Sequence, residues 1–332
     1  MTSLVVIIPV KNDAVRLERC LDAITRNQSG TTRPEVLVAD NGSTDNSRAV
    51  AEASGARVLV LPELRVSELR NAAAREATTD LLAFVDADHE VAPTWVAAAV
   101  DTMAGDRVGA AGALYSAPAN GTWVQRMYGV LRGRTTGRGE VSWLGSGNLV
   151  VRRSAFQQVG GFDASLEACE DVDLCQRLRA AGWSIIGDER LRSVHFGDPP
   201  TLGALFRAER WRGRDNLRVS LRGPLTARDI PSIVTPVVAL AALVTIVASP
   251  VALLVNREAL RVAGIAAVIM AGLAGLKAVV MAARAKSPSP VFLAQAFLVA
   301  LTYEMARGTG LVTRAPHHRQ PGSPSTDRTS PR

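Results

Sequence analysis

Short apolar blocks recur along the first hundred residues, separated by amphipathic stretches. The blocks at 4–10 (LVVIIPV), 35–40 (EVLVAD), 57–61 (RVLVL) and 81–85 (LLAFV) are nearly continuous in Val, Ile and Leu. That is the pattern of strands covered on both faces, so it predicts buried parallel strands. The segments between them repeat with helical spacing. A helix is predicted after Asp13 (AVRLERCLDAIT), a second ends at Gly55 (SRAVAEASG), and a third (SELRNAAAREA) takes Ser67 as its N-cap. A β-α-β-α-β-α-β order implies an α/β fold, a Rossmann-like and mostly parallel sheet with helices on both faces and right-handed crossovers.

Residues 107–169 are less regular. The stretch 126–140 (RMYGVLRGRTTGRGE) mixes Arg126, Arg132, Arg134 and Arg138 with glycines. It reads as a mobile loop that touches anionic lipid or phosphate, or equally as an ordinary solvated loop. At 145–156, GSGNLVVRRSAF predicts a glycine turn, a strand and a helix start. At 170–183, EDVDLCQRLRAAGW predicts an amphipathic helix with Leu174 and Leu178 on one face and Gly182 at its end.

The pattern then changes character. Residues 231–255 carry no charge, enough to cross a hydrocarbon core of roughly 30 Å. A second apolar segment at 262–283 is interrupted by Lys277, which is expected to snorkel, and a third at 288–303 is short for a span. The organisation expected is therefore a domain over 1–225, a membrane region of two to three helices over 226–306, and a disordered tail over 307–332. Arg207, Arg210, Arg212, Arg214, Arg218, Arg222 and Arg228 precede the first span, with Lys277, Arg284 and Lys286 near the second connection. This bias predicts a multi-pass cell-membrane protein whose domain is cytoplasmic.

Charge and cysteine usage narrow the chemistry. The formal net charge is +7, and the basic residues cluster around the apolar segments without an aromatic-studded groove, which favours a membrane surface or an anionic ligand over nucleic acid. Cys20, Cys169 and Cys175 lack metal-type spacing, and their odd count suits a reducing compartment. The early run SLVVIIPV is too short for a signal peptide. The first strand-helix turn has no G-x-G-x-x-G, and no G-x-x-x-x-G-K-[ST] occurs, which argues against a dinucleotide cofactor and a P-loop.

Three loops follow predicted strand ends: 9–13 (PVKND), 39–45 (ADNGSTD) and 86–90 (DADHE). Ligands bind beyond the carboxyl ends of such strands, so Asp40, Asp86 and Asp88 are expected in one crevice. A diphosphate would need a bridging metal there, and oxygen ligands favour Mg²⁺ or Mn²⁺. Each residue also has a plainer role. Acids after a strand cap helices, and Asp40 begins a good turn sequence. Glu170 and Asp171 at a helix start complement its dipole, which would hold Asp171 ionised. His195 alone would be an ordinary half-buried histidine, and Arg207, Arg210 and Trp211 suit a membrane interface.

In order and spacing, VVIIPVKND, VADNGSTD, LRNAAARE, FVDAD, GSGNLVVRRSAFQQVGGFD and EDVDLCQRLRAAGW resemble the inverting glycosyltransferases of family 2, which have the GT-A fold. The resemblance covers about residues 3–215. It implies a nucleotide-sugar donor, most simply a UDP-sugar, and Mn²⁺ or Mg²⁺. Pro9, Val10, Asp40, Arg70, Asp86 and Gly147 would bind the donor. Asp86 and Asp88 would form the D-x-D pair, with Asp88 nearest the metal and His195 completing its shell. Asp171 would be the catalytic base beside Glu170. The tail, including TYEMARGTG, is similar to that of members acting on lipid-linked acceptors, with Arg207, Arg210 and Trp211 at the acceptor or membrane interface. RAERW departs from the Q-x-x-R-W of processive members through Arg207, which points to a non-processive enzyme, and Lys11 stands where an aromatic is common, which argues against base stacking there. Nucleotidyl transfer and a non-catalytic membrane scaffold remain as alternatives.

Overall fold

The computed structural model describes residues 2–27, 34–223, 230–253, 256–285 and 288–313. The central sheet begins with β1 (Leu4–Val10), β2 (Glu35–Asp40), β3 (Arg57–Val60) and β4 (Leu81–Val85), which match the four predicted blocks. They lie in the order β3-β2-β1-β4, all parallel. The sheet is extended by β6 (Val108–Gly112), β7 (Arg138–Glu140), β8 (Asn148–Arg152) and β9 (Ser184–Asp188) in the order β8-β6-β9-β7. Of these, β8 runs antiparallel to both β4 and β6.

Alternation along β1 decides how the layers pack. Val6 and Ile8 face Leu17, Leu21 and Ile24 of α1 (Ala14–Thr25), whereas Val5 and Ile7 face Leu69 and Ala73 of α3 (Val66–Arg75). Both faces are buried, which is why the strand is continuously apolar; each such side chain contributes about 1.5–3 kcal/mol. Helix α2 (Ser47–Ala53) follows β2, and α4 (Trp95–Thr102) places fully buried Trp95 beneath the sheet.

Several expectations change. Ser67 is not the N-cap of α3: Arg65 holds that place, its backbone N–H donating to Glu68 Oε2 at 2.9 Å, and Ser67 is buried in the first turn. Of the stretch expected as a loop at 126–140, residues 126–132 belong to helix α5 (Trp123–Arg132) and residues 138–140 form β7. A reciprocal cap starts α5, with Gln125 N–H donating to Thr122 Oγ1 at 3.3 Å and Thr122 N–H to Gln125 Oε1 at 2.8 Å. Its apolar face, Val124, Met127 and Tyr128, is buried.

The C-terminal part holds α10 (Ile230–Ala252), α11 (Glu258–Arg284) and α12 (Pro290–Gly310). Among the described residues, α10 and α11 are long and apolar enough to cross a membrane. The third segment is longer than expected and extends past 306, because its polar last turn finds partners on the domain. It packs on α10, α11, α5 and α8 (Leu202–Arg212). Gly308 and Gly310 allow this close fit: a Cβ would lie 2.9 Å from Leu240 N at the first and 2.8 Å from Arg210 O at the second. Lys277 does not snorkel; its Nζ lies 3.1 Å from buried Glu304 Oε1 on α12. Much of the expected basic collar is spent on the domain's own acids. Arg214 pairs with Glu167, Arg222 with Asp163 and Asp173, and Arg212 with Glu209. Arg228, Lys286 and the tail from 314 lie outside the described residues.

Candidate active site

The carboxyl ends of β1 and β4 open into a cavity of about 1600 Å³, whose wall includes Pro9, Val10, Arg70, Asp86, Asp88, Gly147, Glu170, Asp171 and His195. Thus the strand-end acids and the distant doublet that opens α7 (Glu170–Ala180) share one space. Arg70 ties them together. Its guanidinium, buried in the sheet layer, donates to Asp86 Oδ1 at 2.6 Å and Glu170 Oε1 at 2.9 Å. Arg70 is expected from the resemblance to approach the donor; in the structure its charge is answered by these two carboxylates.

Asp171 sits at the positive end of α7 and accepts from Val172 N–H at 2.8 Å and Ser146 N–H at 3.4 Å. The dipole expectation for its charge is overturned. Burial and the adjacent Glu170 carboxylate push Asp171 up to about 7, against the two N–H bonds and Arg70. Cys169, directly before the doublet, has φ +62°, a left-handed conformation uncommon for a residue with a side chain.

Asp40 does not reach the cavity wall. It is fully buried, accepts from Ser43 N–H at 3.0 Å and pairs with Arg48 at 3.1 Å, so its carboxylate serves the turn; the neighbouring Asn41 lines the cavity. Of the expected acceptor residues on α8, Trp211 lines the cavity whereas Arg207 and Arg210 are exposed away from it.

A second, two-stranded sheet builds the remaining wall. Strands β5 (His89–Val91) and β10 (Ser193–His195) pair antiparallel with His195 opposite His89. Asp88, His89 and His195 each offer a ligand atom within 4.8 Å of the others. Asp88 Oδ1 is buried without a hydrogen-bond partner, and a Cβ at Gly197 would overlap Asp88 Oδ2. An orphaned carboxylate oxygen grouped with two imidazoles fits a divalent cation, and Gly197 is what lets Asp88 pack this close to His195. Asp86, expected in the metal shell, stands outside this group because Arg70 holds its Oδ1. His89, adjacent to the D-x-D pair, is a candidate ligand that reading left out. Burial lowers it to about 4, keeping the imidazole neutral as a ligand must be. Two imidazoles and a carboxylate suit Mn²⁺ better than Mg²⁺.

Behind His195, Asp198 accepts from Nδ1 at 2.7 Å and leaves Nε2 facing Asp88, 3.2 Å from Oδ2. Arg132 of α5 pairs with Asp198 and lies over the rings of Tyr115 and Tyr128, each at 4.4 Å. Such outer partners fix a ligand's tautomer and angle.

Comparisons with known proteins bear on the family and the fold. Residues 5–160 match the family described as glycosyl transferase family 2. An N-acetylglucosaminyl-diphospho-decaprenol L-rhamnosyltransferase of Mycobacterium tuberculosis is 30% identical over 270 residues, covering 64% of this chain and 87% of that one. The chain belongs to glycosyl transferase family 2. A glycosyltransferase of Haloferax volcanii, AglE, is 27% identical over 237 residues, covering 68% of this chain and 76% of that one. Among solved structures, the mannosyltransferase PcManGT of Pyrobaculum calidifontis, in complex with GDP-Man and Mn²⁺, superposes with a TM-score of 0.56 at 21% identity, covering 91% of this chain and 86% of that one. The GT-A fold and transferase class are thus shared.

Proposed function

We propose that this family 2 transferase moves a sugar from a nucleotide-diphosphate donor to a lipid-linked acceptor with inversion, at a cytoplasmic site beside the membrane. The observation that carries the reading is the single cavity joining Asp88 and its histidines to Asp171 and onward to the apolar helices. Pro9, Val10 and Gly147 border the donor's end. At Gly147 a Cβ would lie 2.7 Å from Asp86 Oδ2 and 3.0 Å from His89 Nε2, so only glycine lets these side chains pack against the turn. Asp88, His89 and His195 would hold a divalent cation. When bound, that ion neutralises the charge gathering on the departing diphosphate.

Asp171 accepts the proton of the acceptor hydroxyl as its oxygen attacks the anomeric carbon and the bond to the diphosphate breaks. A base whose proton affinity lies near neutrality suits that transfer. Arg70 keeps Glu170 and Asp86 fixed while Asp171 cycles. The names of the relatives support a lipid-linked acceptor: one acts on a diphospho-decaprenol sugar. Two helices long and apolar enough to cross a membrane border this cavity, which supports such an acceptor.

Membranes holding the full chain, given a panel of labelled nucleotide-diphosphate sugars and Mn²⁺, should move label into the lipid fraction with inverted anomeric configuration. Label arriving as nucleoside monophosphate would establish nucleotidyl transfer instead. No transfer with any donor would leave the scaffold alternative.

A further inference from the structure

The cavity has a second end that neither the metal cluster nor Asp171 accounts for. There its lining passes to the membrane helices, through Lys277, Arg284, Tyr303 and Arg307. Arg212 of α8 joins them from the domain. Ionisable groups on apolar helices are costly and mark ligand paths. Their partners do not balance them. Glu209 answers both Arg212, at 2.9 Å, and Arg307, at 2.8 Å. Among the described residues, Arg284 donates to the backbone carbonyls of Val130 and Leu131, at 3.1 and 2.9 Å. Lys277 has Glu304, yet neither Glu304 oxygen has a partner in hydrogen-bond geometry. The ring of Tyr303 lies 5.1 Å from Lys277 Nζ and 5.2 Å from the Arg307 guanidinium, so both cations border this ring at the cavity's membrane end.

We infer that Arg212, Lys277, Arg284 and Arg307 form a phosphate site at the membrane end of the cavity, and that it seats the phosphate of an amphiphilic acceptor. The inference rests on the lipid-acceptor reading and adds which part of the acceptor is recognised and by what. Four cations against the carboxylates of Glu209 and Glu304 leave net positive charge in a space walled by apolar helices, where an anion is favoured strongly. Glu304 is the resident counter-ion: it holds Lys277 until the phosphate takes over that ammonium. The prenyl or acyl chain then runs along α10 and α11, whose outward faces are apolar.

The test is binding, measured without donor on the full chain in zwitterionic nanodiscs. Farnesyl phosphate, farnesyl diphosphate, farnesol and inorganic pyrophosphate are titrated against wild type, Lys277→Gln, Arg284→Gln and Glu304→Gln. Wild type should bind the phosphorylated lipids at least about tenfold more tightly than farnesol, as charge-assisted contacts in a dry site require. Lys277→Gln and Arg284→Gln should each lose several-fold for the phosphorylated lipids and little for farnesol. Glu304→Gln, which frees Lys277, should bind them as tightly as wild type or more so. Equal binding of farnesol and its phosphates, or unchanged affinity in both cation variants, overturns the site. Pyrophosphate binding as tightly as farnesyl diphosphate overturns the lipid source. Failure of the acceptor reading looks different: Lys277-dependent binding would persist while wild type moved no sugar onto the bound lipid.

Discussion

Asp171 is pulled in opposite directions by its surroundings, and the balance has measurable consequences. Burial and Glu170 raise its proton affinity to about 7, so the carboxylate needed as base is formed only as pH rises past that point. The rate at limiting substrate should fall about tenfold per pH unit below neutrality and level off above it. Glu170→Gln removes the like charge and leaves Arg70 with one acid fewer, so the acid limb of the profile should move to lower pH. A profile unchanged by that substitution would show that Glu170 does not set the base. At the metal cluster, chelation should stop transfer, and Mn²⁺ should restore it better than Mg²⁺. Asp198→Asn loosens the His195 ring and should weaken Mn²⁺ binding by about 10- to 100-fold in an electron-paramagnetic-resonance titration. The D-x-D pair and the ED doublet stand in local motifs, whereas His195 was singled out only by the family resemblance. His89 stood beside Asp88, and only its register opposite His195 brings it into the candidate metal group. Arg132 and Asp198 carried no such signal, since their meaning lies in contacts between distant segments.

At the scale of elements, strand periodicity was the most readable feature, because burial on both faces forces continuous apolar runs. Helix α5 was obscured by its arginines and the glycines after it. Val124, Met127 and Tyr128 do repeat at helical spacing, but the surface they cover is α12, far away in the chain. The last turn of α12 was hidden for the same reason: Arg307 is stabilised there by Glu209 of α8. That joint yields its own prediction. Glu209 is fully buried between Arg212, Arg307 and Tyr128, and it is held below the usual carboxylate range: burial opposes ionisation, but Arg307 and Arg212 outweigh it. Glu209→Ala would leave two half-buried guanidinium groups without their carboxylate and should destabilise the joint by about 1–3 kcal/mol. Hydrogen exchange should show α8 and α12 opening together; unchanged protection would mean that packing alone holds them.

For the whole molecule, the catalytic domain and the apolar helices form one continuous structure. Val124, Met127, Tyr128 and Leu205 share a core with Ala296 and Val299. A chain cut before α10 exposes that surface and should aggregate or demand detergent on size exclusion, whereas a monodisperse soluble domain would show the contact to be dispensable. The cavity follows the same continuity, from Asp88 past Asp171 to Lys277. The account depends above all on Asp171 acting as base in that shared space. The most direct measurement compares sugar transfer by wild type and Asp171→Asn in the same membranes, with nucleotide binding to each protein measured alongside. Transfer should fall by about 10²- to 10⁴-fold while nucleotide affinity is kept. A well-folded Asp171→Asn protein transferring at the wild-type rate would contradict it.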